Sequence, residues 1–371
     1  MKNILVIFGG DSSEHDISVI TGVHTLNAMP AKGYRAIPLY LRDGVFYTGG
    51  ALFDINAYID FSEKSVSRAV LNGKELFVFK RNKLKKSLDI DGALLATHGG
   101  AGENGALQGF LEINGIPFSS SGVLESAICM NKIVTKTLLN EMGINTVEGK
   151  GFNYPFHESD ITYIEDTLKY PVVIKPCSQG SSIGVAFVKD REELLSAVEV
   201  ASAFDAKILV EKAVENFTEI NSAVALINGE IVLSELEKPV SLSKVLSYQD
   251  KYMSGGMGSG EREFPAKIEN GIREKILKTT KRVYEELNLF GAVRMDYFVA
   301  EGKIYLNEIN TIPGSLAHYL FPDYAHSEFL KRIINSAIAR GIQKAPAFKT
   351  GVLENYKKSK GIEKGAKSPL R

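Results

Sequence analysis

Three oxygen-bearing side chains lie close together in two apolar runs in the last third of the chain. Asp296 lies within the run 292–299, and Glu308 and Asn310 stand at the end of the run that begins at residue 303. Residues two apart on a strand point to the same face, so Glu308 and Asn310 aim together, and Asp296 can join them from a partner strand. Two carboxylates and an amide oxygen suit Mg²⁺, which takes its remaining ligands from water and phosphates. A polar hairpin end without a metal fits the same spacing equally well.

The segment KPCSQGSSIG, residues 175–184, has the composition of a phosphate-binding loop between two strands. Its two glycines allow a close backbone approach to a ligand, and the hydroxyls of Ser181 and Ser182 add donors. It is not a Walker-type loop, because it lacks the Gly-Lys-Ser/Thr ending and does not open a helix. A tight hairpin turn would fit as well. Lys175 is the sharper clue, because a charge that ends an apolar strand and points inward needs an anionic partner.

Two Gly-rich turns and one strand end are weaker candidates for ligand binding. The turns GGDSSEH (9–15) and HGGAGENG (98–105) each carry one glutamate, at the carboxyl ends of predicted strands, where open α/β sheets bind ligands. The apolar run that ends in Glu211 could offer backbone groups and this carboxylate to an adenine and a ribose. Gly-rich turns and polar strand ends are also common structural features, so both interpretations remain open.

A first, open α/β domain is predicted for residues 1–119. Residues 4–8 are a continuous apolar run, typical of a strand buried on both faces of a mostly parallel sheet, and helical spacing follows from Asp16. Further strands are predicted at 34–40 and 92–97.

A small central α+β domain is predicted at residues 120–212. It begins with a helix over 120–143 that Ser121 would cap. Three strands and a helix follow, at 170–175, 183–188 and 206–210 for the strands and 191–204 for the helix.

A C-terminal α+β domain is predicted at residues 213–348. It alternates strands with one long helix, the helix at 272–289 and the strands at 222–227, 230–236, 292–299 and 303–308. Its polar, Gly-rich segment 240–263 is predicted to be a mobile lid loop. The Lys- and Gly-rich stretch 349–371 is predicted to be a flexible tail.

The overall composition argues against several classes of protein. The 371 residues carry 44 Lys+Arg against 44 Asp+Glu, and zero net charge offers no general attraction to nucleic acid or an anionic membrane. No run approaches the ~18 apolar residues of a membrane span, and the first is shorter than the roughly 7–15-residue core of a signal peptide. Cys129 and Cys177 lack metal-binding spacing and are expected to be reduced thiols. We therefore predict a soluble cytoplasmic protein without membrane or nucleic-acid partners.

Eight sequence strings, in this order, resemble the D-alanine–D-alanine ligases of the ATP-grasp superfamily, and they span the chain up to about residue 340. The strings are GGDSSEHDIS (9–18), HGGAGENGALQG (98–109), SAICMNKIVTK (126–136), YPVVIKPCSQGSSIGV (170–185), ILVEKAVENFTEIN (208–221), YQDKY (248–252), RMDYF (294–298) and LNEINTIPG (306–314). The resemblance implies an ATP-grasp fold, with the three domains above, and ATP-dependent joining of two D-alanines through an acyl phosphate, for peptidoglycan synthesis. A cytoplasmic homodimer is typical of the family.

The resemblance also assigns ATP and metal sites to residues of this sequence. The residues that match the family's ATP-binding positions are Lys132, Lys175, Ser182, Glu211, Lys212, Val214, Glu219 and Lys251. Among them, Lys132, Lys175 and the lid residue Lys251 match groups near the phosphates. The residues that match the magnesium ligands are Asp296, Glu308 and Asn310, so the family agrees with the strand spacing. Two ions, Mg²⁺ or Mn²⁺, are implied.

The remaining matched positions concern the amino-acid substrates. Glu14 resembles the group that binds the amino group of the first D-alanine, with Ser181 and Tyr252 as its hydrogen-bonded partners. Arg294 and the backbone of Gly314 resemble the groups that stabilise the acyl phosphate and its tetrahedral successor. The further residues predicted to contact substrate are His98, Glu103 and Tyr319.

Two positions depart from the family pattern. Where a serine is expected to help hold the carboxylate of the second substrate, this chain has Tyr319, and Asn104 replaces an expected aspartate. A tyrosine hydroxyl can donate the same bond from a longer reach, perturbing the shape of the pocket. Another acceptor such as D-serine or D-lactate is therefore an alternative, although Tyr252 argues against D-lactate. A protein that binds ATP without ligating is the alternative from another class.

Overall fold

The structure, a computed structural model, describes residues 1–239, 262–342 and 350–360. Backbone contacts divide the chain into a large unit, residues 1–341, and a small one, residues 342–371. None of the described helices is long and apolar enough to cross a membrane.

The first sheet has seven strands, in the order β6-β5-β4-β3-β2-β1-β7. The strands are β1 (Lys2–Gly9), β2 (Tyr34–Arg42), β3 (Val45–Thr48), β4 (Ser67–Asn72), β5 (Glu75–Lys80), β6 (Lys83–Asp89) and β7 (Gly92–Leu95). β2, β1 and β7 are parallel, as an open α/β domain requires, and residues 4–8 are fully buried. Helix α1 (His15–Ala28) packs against β1, and α2 (Ala106–Ile113) follows β7. The predicted strands and the helix after Asp16 are confirmed.

Sequence reasoning missed the antiparallel half of this sheet. From β2 the chain returns through β3, β4, β5 and β6, each antiparallel to its predecessor. β6 forms one edge of the sheet, and six of its seven residues are exposed. An exposed strand rich in lysine has no apolar alternation, so its pattern resembles a loop.

The helix predicted over residues 120–143 is two helices, α3 (Val123–Met130) and α4 (Lys132–Glu141). Asn131 separates them with an extended backbone, and its side-chain oxygen accepts a hydrogen bond from the amide of Val134, 3.0 Å away, as an N-cap. The prediction of one helix capped by Ser121 is therefore wrong. Ser121 is buried, and its hydroxyl bonds to the backbone of Phe290.

The second sheet has the order β10-β9-β11-β8, all antiparallel. Its elements are β8 (Gly149–Asn153), α5 (Glu158–Tyr163), β9 (Val172–Pro176), β10 (Ala186–Val188), α6 (Arg191–Ser202) and β11 (Lys207–Lys212). An apolar core joins the sheet to α5 and α6. β10 begins later than predicted, because Ser181, Ser182 and Gly184 have positive φ angles and cannot extend the strand.

The third sheet has the order β13-β12-β16-β17, again antiparallel. Its elements are β12 (Thr218–Ile227), β13 (Glu230–Leu233), α7 (Asn270–Glu286), β16 (Ala292–Ala300) and β17 (Lys303–Asn310). The predicted strand 230–236 ends early, at Leu233. A two-residue ribbon, β14 (Lys238–Pro239) and β15 (Arg262–Glu263), pairs the chain on either side of residues 240–261. A 3₁₀ segment (Gly314–Leu320) and α8 (His326–Arg340) complete the unit.

Two predictions concern segments that the structure covers only in part. The predicted lid, residues 240–263, lies outside the described residues except for its last two. Within the predicted tail, residues 349–371, the structure has a helix, α9 (Val352–Lys360). The stretch therefore has more secondary structure than expected, and its flexibility remains a prediction, as do the three domain boundaries.

Candidate active site

The pairing of β16 with β17 brings the predicted metal residues to one face. Asp296 lies opposite Glu308, and Arg294 lies opposite Asn310, one step further along the same face. Arg294 binds Asp296 with two nitrogens, at 2.7 and 2.9 Å, and the Asn310 amide donates to the same carboxylate at 3.0 Å. Lys132 lies 3.5 Å from Glu308. The predicted shared face is confirmed.

The chemistry of this donor set fits a hard divalent cation. Asp296 and Glu308 supply negative oxygens, and Asn310 would supply its amide oxygen after rotation of the amide. Within the described ranges, no group of three or more His, Cys, Asp or Glu side chains is placed to hold a metal ion. The set of Asp296, Glu308 and Asn310 contains only two such side chains, because the third ligand is an amide. The metal site therefore stays a prediction.

A cavity of about 370 Å³ lies beside this face. Its lining brings together residues from the connections of the first two sheets, from strands of the third sheet and from the 3₁₀ segment. The predicted site residues that line it are Glu14, His98, Glu103, Lys132, Ser181, Glu219, Arg294, Asp296, Glu308, Asn310, Gly314 and Tyr319. Residues up to 305 positions apart in sequence, Glu14 and Tyr319, therefore share one site, as the eight motifs together predict.

Glu14 and Ser181 meet at the wall of this cavity. Glu14 precedes α1, and the Ser181 hydroxyl donates a short hydrogen bond to its carboxylate. Gly180 allows the approach, because a Cβ atom there would lie 2.6 Å from the Glu14 carboxylate. The predicted contact between these two residues is confirmed, although their roles are not tested by it.

His98 and Glu103 have strongly shifted pKa values. Burial lowers the pKa of His98 to about 4, and its Nε2 lies 3.0 Å from the Thr21 hydroxyl. Burial, with the nearby charge of Glu14, raises the pKa of Glu103 to about 8, although the Gly99 amide donates to it at 3.0 Å. At neutral pH His98 is therefore uncharged, and Glu103 is mostly protonated. Shifts of this kind cluster at functional sites.

Lys175 and Glu211 lie outside the cavity lining and bind each other. Glu211 is buried between two lysines, with Lys136 and Lys175 each 2.5 Å from one of its oxygens. Lys175 also donates to the side chain of Asn307 at 3.0 Å. The anionic partner expected for an inward lysine is thus Glu211 in this structure. Sequence reasoning missed Lys136, which lies four residues after Lys132 and so on the same side of α4.

The other predicted ATP residues are more scattered. Lys212 pairs with Glu148 at the surface, 2.6 Å away, and Val214 is half-buried in the segment after β11. Ser182 lines a separate apolar groove against α6. Lys251 and Tyr252 lie outside the described residues.

Tyr319 lies at the end of the cavity occupied by Arg294 and Gly314. Its hydroxyl accepts a hydrogen bond from the Arg294 guanidinium at 3.4 Å, and burial raises the pKa of the phenol. The three residues Ser315–Ala317, which precede His318 and Tyr319, have positive φ angles of 51–53°, an unusual run for non-glycine residues. His318 turns away from the cavity, toward the backbone of Tyr324.

Family models match most of the chain. The model described as "D-ala D-ala ligase N-terminus" matches residues 3–121, and "D-ala D-ala ligase C-terminus" matches residues 138–333. The chain belongs to the D-alanine–D-alanine ligase family. It is an enzyme, a ligase, and the resemblance of the eight motifs is confirmed.

Relatives of this ligase extend over nearly the whole chain. The D-alanine–D-alanine ligase of Thermosipho melanesiensis is 36% identical over 348 residues, which cover 92% of this chain and 94% of that protein. The ligase of Caldicellulosiruptor bescii is 34% identical over 357 residues, which cover 92% of this chain and 96% of that protein.

Solved structures of similar proteins share the fold, which is the predicted ATP-grasp fold. VanG D-Ala:D-Ser ligase from Enterococcus faecalis aligns with a TM-score of 0.76 at 28% identity, covering 90% of this ligase and 98% of that chain. The D-alanine–D-alanine ligase from Helicobacter pylori aligns with a TM-score of 0.73 at 27% identity, covering 93% of this ligase and 100% of that chain. The Bacillus anthracis ligase complexed with ATP aligns with a TM-score of 0.65 at 25% identity, covering 92% of this ligase and 98% of that chain.

Proposed function

We propose that this ligase joins two D-alanines into D-alanyl-D-alanine at the expense of ATP. The observation that carries the proposal is the cavity itself. It places Glu14 with Ser181, the Asp296–Glu308 face, and Arg294 with Gly314 around one space, in a chain whose relatives are named for this reaction.

In the first step, the carboxylate of the donor D-alanine attacks the γ-phosphorus of ATP, and the bond to the ADP oxygen breaks. A carboxylate is a poor electrophile, and the acyl phosphate formed is a good one. Lys132 and Lys175 neutralise charge near the transferring group, beside the loop at Gly180–Ser182. Mg²⁺, held by Asp296, Glu308 and Asn310, would supply further charge neutralisation on the phosphates.

In the second step, the amine of the acceptor attacks the acyl carbon, and the bond from that carbon to the phosphate oxygen breaks with its electron pair going to the phosphate. The departing phosphate takes up the proton that the amine loses. The oxygen of the tetrahedral intermediate becomes negative. Arg294 and the backbone N–H of Gly314 stabilise it, and Glu14 holds the amino group of the donor. Tyr319 binds the acceptor carboxylate, in the place of the family's expected serine.

D-Serine is a second candidate acceptor. Tyr319 changes the end of the cavity next to Arg294, and the D-Ala:D-Ser ligase VanG aligns with a TM-score of 0.76. A hydroxymethyl side chain differs from a methyl by one oxygen, which a single donor in the pocket can distinguish.

Phosphate release, measured across single and paired D-amino acids, tests the proposal. D-Alanine alone should support release, and mass spectrometry should identify its dipeptide. ATP hydrolysis without a peptide would favour a nucleotide-binding protein that does not ligate. Release that requires D-serine with D-alanine would assign the second acceptor.

We place this reaction in the cytoplasm, in peptidoglycan synthesis, with a homodimer as the working assembly. The zero net charge gives no support for nucleic-acid binding. Light scattering after size-exclusion chromatography checks the assembly, with about twice 40.6 kDa expected.

A further inference from the structure

A second arginine, which is not among the predicted site residues, contacts the ring of Tyr319. The guanidinium of Arg262, in β15, lies 5.1 Å from the centre of the ring. A cation over an aromatic face at this distance is attractive. Arg262 is itself held by Glu237, with 3.3 Å between nitrogen and oxygen.

Glu237 is a fixed, buried anchor for this arginine. Its side chain is 7% exposed, and its backbone exchanges two hydrogen bonds with that of Asn221, at 2.8 and 3.0 Å. The Asn221 side chain also donates to the second carboxylate oxygen at 3.3 Å. Because Asn221 lines the cavity, Glu237 connects the cavity wall to Arg262.

On its other side, Tyr319 is held through its hydroxyl. Arg294 donates to that oxygen, and Arg294 is in turn fixed by two bonds to Asp296. The phenol is therefore held at two points, the hydroxyl by Arg294 and the ring face by Arg262. A ring held in this way keeps its hydroxyl at one place in the cavity.

We propose that Glu237 and Arg262 are positioning residues that fix the ring of Tyr319 and thereby set the affinity for the acceptor amino acid. The inference rests on the proposed function, because it takes Tyr319 as the group that binds the acceptor carboxylate. It adds two residues that act through Tyr319 without touching the substrate. We call the set Glu237, Arg262 and Tyr319 the acceptor clamp.

The exposure of Arg262 separates this role from a structural one. Its side chain is 46% exposed, and an exposed guanidinium contributes little to stability. Glu237, which is 7% exposed, keeps its hydrogen bond from Asn221 when this guanidinium is removed. Removal of the guanidinium should therefore leave the fold intact. The effect should appear at the acceptor site, where the position of one hydroxyl matters.

Arg262→Met is the test variant, and Arg273→Met is its matched control. Arg273 binds Glu235, two residues before Glu237, at 2.6 Å, and the two side chains are 30% and 36% exposed. Among the described residues, Arg273 makes no hydrogen bond or ring contact with Tyr319. Arg262→Met should raise the KM of the acceptor by about two- to fivefold, which corresponds to ~0.5–1 kcal/mol at 1.4 kcal/mol per tenfold. The donor KM and kcat should stay within the error of the parent. Arg262→Lys should recover part of the change, and Arg273→Met should behave as the parent.

A double variant tests whether the effect passes through Tyr319. In the Tyr319→Phe background there is no hydroxyl to position, so adding Arg262→Met should change the acceptor KM no further. An equal effect in both backgrounds would overturn the clamp. An unchanged acceptor KM in Arg262→Met, or a parallel change at both substrate sites, would overturn it as well.

A measurement without turnover keeps the clamp separate from the proposed function. With 3-fluorotyrosine at position 319, ¹⁹F NMR should show one resonance in the parent and Arg273→Met, and a shifted or divided one in Arg262→Met. An unshifted resonance in Arg262→Met would overturn the clamp, whichever acceptor the enzyme uses. Absence of any dipeptide from the parent would instead refute the proposed function.

Discussion

Glu211 keeps its charge in a buried position because two lysines share it. Burial alone would raise its pKa, but Lys175 and Lys136 outweigh that effect, and the pKa of Glu211 is lowered. The carboxylate therefore stabilises the folded state above the ordinary pKa of a glutamate, and this contribution is lost as the pH falls through the lowered value. A residue thought to bind a nucleotide is thus also a stabilising charge.

Removing Lys136 should destabilise the protein. Lys136→Met leaves Glu211 with one lysine, and breaking a buried ion pair typically costs about 3 kcal/mol in the free energy of unfolding. Lys281→Met, which removes an exposed pair with Glu285, should cost less than ~1 kcal/mol. Urea titrations measure both. Equal losses in the two variants would show that Glu211 does not depend on Lys136.

The metal assignment can be tested at the two carboxylates. Asp296→Asn or Glu308→Gln should abolish turnover, because each removes a negative oxygen next to the cavity. Glu308→Gln should leave the fold intact, whereas Asp296→Asn also breaks the buried pair with Arg294 and should lower the free energy of unfolding. Phosphate release at limiting Mg²⁺ and circular dichroism measure the two effects. Near-normal activity of either variant would refute the metal site.

Tyr319→Phe tests the departure from the family pattern. Losing a hydrogen bond to a charged group typically costs ~1.5–3 kcal/mol, so the KM of the second D-alanine should rise roughly ten- to a hundredfold at ~1.4 kcal/mol per decade. The KM of the first should barely move. If the variant matches the parent at both substrate sites, the hydroxyl has no role and Tyr319 only packs.

At the scale of elements, α1 positions Glu14 through a close approach to β1. Gly22 faces the fully buried Phe8, and a Cβ atom on Gly22 would lie 2.2 Å from the ring. A methyl group there would push the helix away from the sheet, and with it the turn that holds Glu14 against Ser181.

Gly22→Ala should therefore lower the free energy of unfolding by about 1–3 kcal/mol, the usual cost of overpacking. It should also raise the KM of the first D-alanine. Gly109→Ala in α2 is the control, because its Cβ would meet Val123 at an ordinary 3.5 Å. That change should be neutral, or stabilising by up to ~1 kcal/mol from helix propensity. Chemical denaturation distinguishes the two, and a neutral Gly22→Ala would contradict the close packing.

Sequence patterns predicted the elements where burial imposes a clear period. The run 4–8 and the strand pair around Asp296 and Glu308 are of this kind, and motif order recovered most of the cavity lining. The break between two helices at Asn131 was not predicted, because the helical spacing of apolar residues continues across it. The exposed strand β6 was not predicted, because its residues do not alternate between apolar and polar.

Contacts between side chains distant in sequence were predicted only where the family resemblance supplied them, as for Glu14 and Ser181. Lys136 and Glu211 are 75 positions apart, and Arg262 and Tyr319 are 57 apart. Each pair meets only because different strands and helices converge there. Burial also sets the pKa values of His98 and Glu103, and it follows from the whole fold, since no local pattern reports the dielectric of a cavity.

At the scale of the whole unit of residues 1–341, three sheets contribute to one site. The first supplies Glu14 and Glu103 on its connections, the second supplies the loop of Ser181, and the third supplies Asp296 and Glu308. No sheet holds a complete set of these groups. Any motion of one sheet against another would therefore change the site, and ligands that contact all three would oppose such motion.

The exposed strand β6 has a consequence for the protein at high concentration. A sheet edge offers unpaired backbone groups to the edge of another molecule, and lysines there oppose such pairing by their charge. β6 carries three exposed lysines, Lys83, Lys85 and Lys86.

Replacing all three with threonine should increase aggregation, measured by static light scattering, while turnover of the remaining soluble enzyme stays unchanged. The same replacement at Lys275, Lys278 and Lys281, exposed on α7, removes equal charge away from any edge and should leave scattering low. The charged edge would thus oppose edge-to-edge pairing between copies of the enzyme at high concentration.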